Sequence, residues 1–414
     1  AVQPAVDAAQ AAELAQGLTL LQAVNRGLAI HPEVQAASMN VERALTEISM
    51  AEGGYMPSLQ LSSGIQDGNR LGYDVTLSQM LFDWGKVTSQ VDVATATQRQ
   101  KVETLLLTRS KAALEILEIC LDMQTSRWQL EALQHYREYL QTLRQVVEQR
   151  SAGGYSDNSE LGRIQQALGY VQEQTAIEQG KLRVAESQYR TLLDWPKNAS
   201  LQVELPAHPD FFKRLLEGEA LDTAIARSPT LRQSQQNVAM AQAKIDNAEA
   251  ALKPRLQLDL ISQRRPIGGQ MTDDMIVALN MRMDPMQGLS AFQRITAEGQ
   301  GLESAQFELN GVRRDLLREF KAFQENEAAL WGRMAALDIQ KTEVAGVRDI
   351  YREQFMAGLR TIDDLIRIER ESYEANRQQI TTRSEYERIP YRASARLGLL
   401  AHVLEARLEE GLTP

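Results

Sequence analysis

The chain has 414 residues, 43% of them hydrophobic, 24% charged and only 6% aromatic, with a net charge of −10. An acidic chain without a long Lys/Arg run is a poor nucleic-acid binder, because neutralising phosphates takes clustered cations. A single cysteine, Cys120, excludes an internal disulfide framework and a multi-cysteine zinc site, and no stretch reaches the ~18–20 apolar residues of a membrane-spanning helix.

The first 17 or so residues give no fold signal, and the opening "AVQPAVDAAQAA" is not a signal peptide. It suits a secreted chain already cut after a small residue, or a cytosolic chain. Its first residue is not cysteine, so an N-terminal lipid anchor has no support. The first clear feature is a duplication. "AIHPEVQAASMNVERALTEISMAEGGYMPSLQL" (29–61) aligns without a gap with "ARSPTLRQSQQNVAMAQAKIDNAEAALKPRLQL" (226–258) at an offset of 197, and 12 of the 33 positions are identical. Roughly two would match by chance at average composition.

Each copy begins with an Ala-rich helix of about 25 residues, expected to stop at Pro57 and at Pro254 where a backbone N–H is lost. Period-two alternation then predicts a β-hairpin. In the first copy (58–81) Leu59, Leu61 and Ile65 share one parity, "QDGNR" turns the chain, and Tyr73, Val75 and Leu77 follow. In the second (255–283) Leu256, Leu258 and Leu260 precede the turn "RRPIGGQ", with Met275, Val277, Leu279, Met281 and Met283 after it. Helical periodicity resumes at Asp83 and Asp284, both able to cap, with Pro285 suited to a first helical position. The first long helix is predicted to reach Arg150 before "SAGGYSDNS", the second to reach Met356 before Gly358. About 65 helical residues span on the order of 100 Å. Return helices are expected at 156–194 and 360–398, with 194–212 joining the copies. The chain thus divides into a first repeat (1–197), a linker (198–217), a second repeat (218–400) and a tail (401–414). It reads as mainly α with a small β part.

Chemistry finds little purchase. Cys120 lies in the apolar run "LEILEICLDM", the setting of a small buried residue rather than a reactive thiol. His31, His135, His208 and His402 are scattered, without the i, i+4 spacing of a helical metal site. There is no Walker-type loop and no GxSxG, so neither an enzyme nor a cofactor is indicated. Asp363 and Asp364 do not form a dyad, because adjacent helical residues point about 100° apart. On helix geometry alone Arg360 and Asp364, at i and i+4, can pair within their own helix, and acids there suit the positive end of its dipole.

Four strands cannot close a barrel, and an isolated hairpin is marginal in water. Either the hairpins form a small sheet packed on helices, or several chains pool strands into one barrel with an apolar outer parity. Phe82 and Trp84, just after a strand, suit a membrane-interface belt. A soluble helical scaffold with hairpins as local packing devices is the reading from another class.

The duplicated order resembles the TolC-type outer-membrane channel family over about residues 18–400. The likeness rests on that order and spacing together with "LTLLQAVNRGLAIHPEVQAA", "LSQMLFDWGK" and "AGLRTIDDL". The resemblance implies a homotrimer with a 12-stranded outer-membrane barrel, four strands per chain, continued by a long α-helical coiled-coil tunnel across the periplasm of a Gram-negative bacterium. It implies outer-membrane lipid around the barrel, and a periplasmic adaptor (membrane fusion) protein and an inner-membrane transporter of the ABC type as partners. It also implies an exported substrate inside the tunnel. It places a periplasmic gate at the second helical break, where Gly358, Arg360, Thr361 and Asp364 match the family pattern beside Asp363. Ser159 and Glu160 stand where the family places acceptors for the arginine. Arg367 replaces a second aspartate, a departure that argues against a double acidic ring. Gly153, Gly154 and Tyr155, with Ala357, Gly358 and Leu359, resemble the turns that receive the adaptor. Type I protein secretion, large adhesins included, is the expected system, from the short hairpin turns and the absent lipid cysteine; drug or metal efflux is the alternative.

Overall fold

The computed structural model describes residues 17–66, 70–152, 158–197, 199–204, 219–267, 270–283 and 290–400. In chain order these form β1 (Leu18–Thr19), α1 (Leu20–Ile30), α2 (Pro32–Glu52), a 3-10 turn (Gly53–Tyr55), β2 (Ser58–Gln66), β3 (Arg70–Phe82), α3 (Lys86–Ala152) and α4 (Asn158–Leu193). There follow β4 (Val203–Glu204), α5 (Glu219–Arg227), α6 (Pro229–Ala250), β5 (Arg255–Ile267), β6 (Gln270–Arg282), α7 (Ser290–Met356) and α8 (Ile362–Arg396). The duplicated plan is present, and α3 and α7 are each 67 residues long.

Three boundaries differ from expectation for local reasons. The Ala-rich helices are 21 and 22 residues long and end before their prolines. Pro57 and Pro254 instead directly precede β2 and β5, where a proline's bias towards extended backbone serves a strand start. Asp83 does not open α3 but caps it from three residues upstream: its Oδ2 accepts the Val87 N–H at 2.7 Å and its Oδ1 the Gly85 N–H at 3.0 Å. The intervening Trp84 and Gly85 sit at φ +59° and +90°, so this turn holds a tryptophan in a left-handed conformation that non-glycine residues seldom adopt. Inside the expected linker, β4 forms a short parallel ladder with β1, pairing Leu18 with Val203 and Thr19 with Glu204. The expected caps Asp284 and Pro285 lie outside the described residues.

Two compact units divide the chain, each drawing on both repeats: Ala1–Val34, Arg109–Ala224 and Leu317–Pro414 form one, Gln35–Thr108 and Ile225–Leu316 the other. In the first, one core gathers Ala23 and Val24 of α1, Leu117 and Cys120 of α3, Tyr189 and Leu193 of α4, and Tyr391 of α8. Arg26 closes the end of α4, donating to the carbonyls of Leu193 (2.7 Å) and Asp194 (3.2 Å) while its guanidinium lies over the Trp195 ring; a cation at a helix C-terminus satisfies orphan carbonyls. Cys120 is 2% exposed, the buried core residue that its apolar run predicted. Pro390 sits within α8 without ending it.

In the second unit α3 and α6 meet through polar contacts, Gln100 to Asn237 (2.8 Å) and Gln233 to Thr104 (3.0 Å). The two hairpins here become one antiparallel sheet, in the order β2-β3-β5-β6, because β3 pairs with β5. A bulge between Met80 and Phe82 shifts that register. Leu59, Leu77, Leu260 and Val277 fall in one row across all four strands, and Leu61, Val75, Ser262 and Met275 in the next row on the same face. Alternation puts Gln257, Asp259 and Asn280 on the opposite face.

Candidate functional site

The second helical break is built by local rules. Gly358, at φ +76°, ends α7 in a Schellman turn: its N–H donates to the Phe355 carbonyl (2.9 Å) and the Leu359 N–H to the Gln354 carbonyl (2.8 Å). Three residues on, Thr361 caps α8. Its Oγ1 accepts the Asp364 N–H at 3.3 Å, and Asp364 Oδ2 accepts the Thr361 N–H at 3.2 Å, a reciprocal capping box. Hydrogen bonds from the Thr361 backbone and hydroxyl, helped by the charges of Arg367 and Arg360, hold the Asp364 carboxyl below the usual carboxylate range.

Beneath this turn Phe355, Ile362 and Leu365 pack with Leu143 and Val147 of α3 and Ile164 of α4. That cluster fixes where the charged residues stand. Arg360 turns back onto α7, its Nε donating to Gln354 Oε1 at 2.9 Å and its guanidinium 4.1 Å from the centre of the Tyr351 ring. The intrahelical pairing of Arg360 with Asp364 that i, i+4 spacing allows is not the arrangement found: Asp364 Oδ1 takes Arg367 Nη2 at 2.5 Å. A stacked, hydrogen-bonded guanidinium gains more than an exposed pair at that spacing. Asp363 points to another helix altogether and is paired with Arg163 of α4. The two aspartates therefore have separate partners, as their divergence on a helix requires.

Ser159 and Glu160 occupy the first turn of α4, while Gly153, Gly154 and Tyr155 lie outside the described residues. Ala357 and Leu359 are exposed, the latter at 75%. Sequence reasoning missed Tyr351, Gln354 and Arg163, the partners of Arg360 and Asp363, because no spacing signal connects residues that meet only through packing. It also missed Glu369, which is buried with Oε2 lacking a hydrogen bond and 4.0 Å from Arg348 Nε. Burial pushes its carboxyl above the ordinary range, against the pull of Arg348 and Arg352.

At the sheet, Phe82 and Trp84 are half-exposed and meet edge to face at 4.9 Å. The Trp84 Nε1–H donates to the Pro254 carbonyl (3.0 Å), and Lys253 Nζ lies over its ring. The hairpin faces are inverted relative to a water-soluble protein. Leu59, Leu61, Met275, Val277, Leu279 and Met281 are exposed, whereas Gln257 and Asp259 are buried. Among the described residues no helix is long and apolar enough to cross a membrane.

Residues 23–193 match the family model described as outer membrane efflux protein. The crystal structure of the outer membrane protein VceC from Vibrio cholerae superposes with a TM-score of 0.80 at 14% identity, covering 92% of this chain and 96% of that one. The chain has the fold of these outer-membrane channels. The family-model match falls within the first repeat, and the likeness of fold extends over both repeats. The Campylobacter jejuni CmeC outer membrane channel gives a TM-score of 0.77 at 12% identity, covering 94% of this chain and 88% of that one. Protein CyaE of Bordetella pertussis is 22% identical over 295 residues, 67% of this chain and 62% of that protein, so the matched region spans less than two thirds of this relative.

Proposed function

We propose that the chain is one third of an outer-membrane exit duct, in which three copies pool their sheets into a twelve-stranded barrel and their long helices line a passage across the periplasm. The inverted sheet carries this reading. Its apolar face is exposed while Gln257 and Asp259 on its polar face are buried, and β2 and β6 stand at its open edges. In water such a patch and two open edges invite aggregation. In a bilayer an apolar outer face with edges closed by neighbouring copies satisfies every backbone group. The duct performs no covalent chemistry; a periplasmic adaptor docks near Ala357–Leu359, and an inner-membrane transporter supplies the energy.

Arg360, Asp364 and Glu160 hold the helical breaks in the closed arrangement, with Arg360 set by Tyr351 and Gln354. Purified protein should run as a detergent-stable trimer that conducts in planar bilayers, and Arg360→Ala, Asp364→Ala and Tyr351→Ala should raise that conductance. A soluble monomer that never conducts sinks the duct. Conductance unchanged in all three variants sinks the gate. For cargo we retain a polypeptide delivered by a type I, ABC-transporter-driven system. Small-molecule or metal efflux is the second reading, favoured by the description of the matched family. Deleting the gene decides: loss of a secreted polypeptide from the medium supports the first, and drug or metal sensitivity with secretion intact supports the second.

A further inference from the structure

The first pair of the β5–β6 ladder sets Arg255 directly opposite Arg282. Period-two alternation places both on the polar face, in line with Gln257, Asp259 and Asn280. Like charges directly opposite one another destabilise a strand pair. Guanidinium groups do not escape by losing a proton; Arg282 is exposed and Arg255 half-buried, so an anion that reaches both is favoured.

Among the described residues the sheet does not provide that anion in full. Asp259, the carboxylate on this stretch of the face, is already engaged: Gln257 Nε2 reaches both its oxygens at 2.9 Å, and Asn280 Nδ2 reaches Oδ2 at 2.6 Å. Arg282 shares the field of Asp259, but the Nε–H of Arg255 is enclosed with no acceptor among the described residues. The other acids of this face, Asp74 and Asp274, flank Gln263 in the register. Eight residues of strand separate that row from Arg255, about 27 Å, roughly three screening lengths at physiological salt. The face therefore carries a cationic step at the end where β5 enters and β6 leaves, with a donor in want of an acceptor.

We infer that Arg255 and Arg282 form an anion-recognising station on the polar face of the sheet, which takes the carboxylate or phosphate groups of acidic cargo in transit. This rests on the duct reading, in which the polar face lines the passage. Forked guanidinium donors suit such oxyanions, and charge-assisted hydrogen bonds of this kind are about twice as strong as neutral ones. Three copies would place six arginines around one level of the lumen.

The test uses the full chain in planar bilayers, with citrate as the probe. Citrate should block the unmutated channel, and the Arg255→Gln/Arg282→Gln double variant should need at least about tenfold more citrate for half block. The reversal potential in a KCl gradient should shift towards cation preference in the same variant. The conservative Arg255→Lys/Arg282→Lys variant guards against a folding defect: it should conduct, with block intermediate between the two. A double variant that conducts and is blocked as readily as the unmutated channel overturns the station while leaving the duct intact. Unmutated protein that inserts and never conducts overturns the duct reading itself, and the station with it.

Discussion

Replacing Phe355 by alanine should loosen the helical break while leaving the rest of its unit closed. Phe355 is 4% exposed and shares one cluster with Leu143, Val147, Ile164, Ile362 and Leu365. Truncating a buried phenylalanine costs about 3–5 kcal/mol in transfer and cavity terms. The guanidinium of Arg150 lies 4.9 Å from the ring centre and loses its stacking partner, for about another 0.5–1 kcal/mol. The expected loss, about 3.5–6 kcal/mol, exceeds every single polar contact at the break, where each exposed ion pair is worth about 0–1 kcal/mol. Because α3, α4 and α8 are held elsewhere by the core around Leu117 and Tyr189 and by the Arg392–Glu118 pair, and α7 is tied to α8 by Arg396 with Glu319, the loss should appear as local opening. Hydrogen exchange followed by mass spectrometry reads this directly. Amides of 353–369 should lose protection by at least about a hundredfold, at roughly tenfold per 1.4 kcal/mol, while peptides around Leu193 and Trp195 stay unchanged. Protection at 353–369 within about fivefold of the unmutated protein would refute the claim that apolar packing, rather than the charged residues, sets the break.

Three further outcomes follow from single residues. Gly358→Ala meets no atom within 4 Å of its new Cβ, so its cost should be the left-handed backbone alone, about 1 kcal/mol; Gly358→Asn should cost less, and equal stability of both variants and the unmutated protein in thermal melts would count against the Schellman turn. Burial raises the Glu369 carboxyl above its unfolded value, so the folded state takes up the proton first and the group's penalty is present above its raised pKa and disappears as pH falls to the ordinary glutamate value. Glu369→Gln should accordingly melt higher than the unmutated chain at pH 8 and equally at pH 4; a lower melting point at pH 8 would show that the pairing with Arg348 outweighs burial. Burial pushes the Cys120 thiol up to about 12 against a small opposing pull from Arg127, so iodoacetamide at pH 8 should leave it untouched until denaturant is added, and alkylation of the folded protein would place that thiol in solvent.

Much of the helical break was legible because its determinants are local. Gly358 past the end of a helical run and acids in the first turn after it are signals carried within a few residues. The Thr361-x-x-Asp364 capping box is a signal of the same short range. Asp83 was legible as a cap, though not its position three residues before the helix, because the left-handed Trp84 runs against the preferences of its residue type. The Arg163–Asp363 pair and the stacking of Arg360 on Tyr351 had no such signal: the first joins helices 200 residues apart in sequence, and the second depends on how the chain doubles back after Gly358.

The sequence by itself determined the duplication, the lengths of the long helices, the two hairpins and the parity of each strand, because helical and strand periods and turn chemistry act over neighbouring residues. Tertiary structure decided that β3 pairs with β5, which turns two marginal hairpins into one sheet and aligns their apolar parities on a single exposed face. It also set Arg255 against Arg282 and buried Glu369 beside Arg348. Those outcomes depend on the packing of segments far apart in the chain, where the free energy of burial and pairing overrides any local preference.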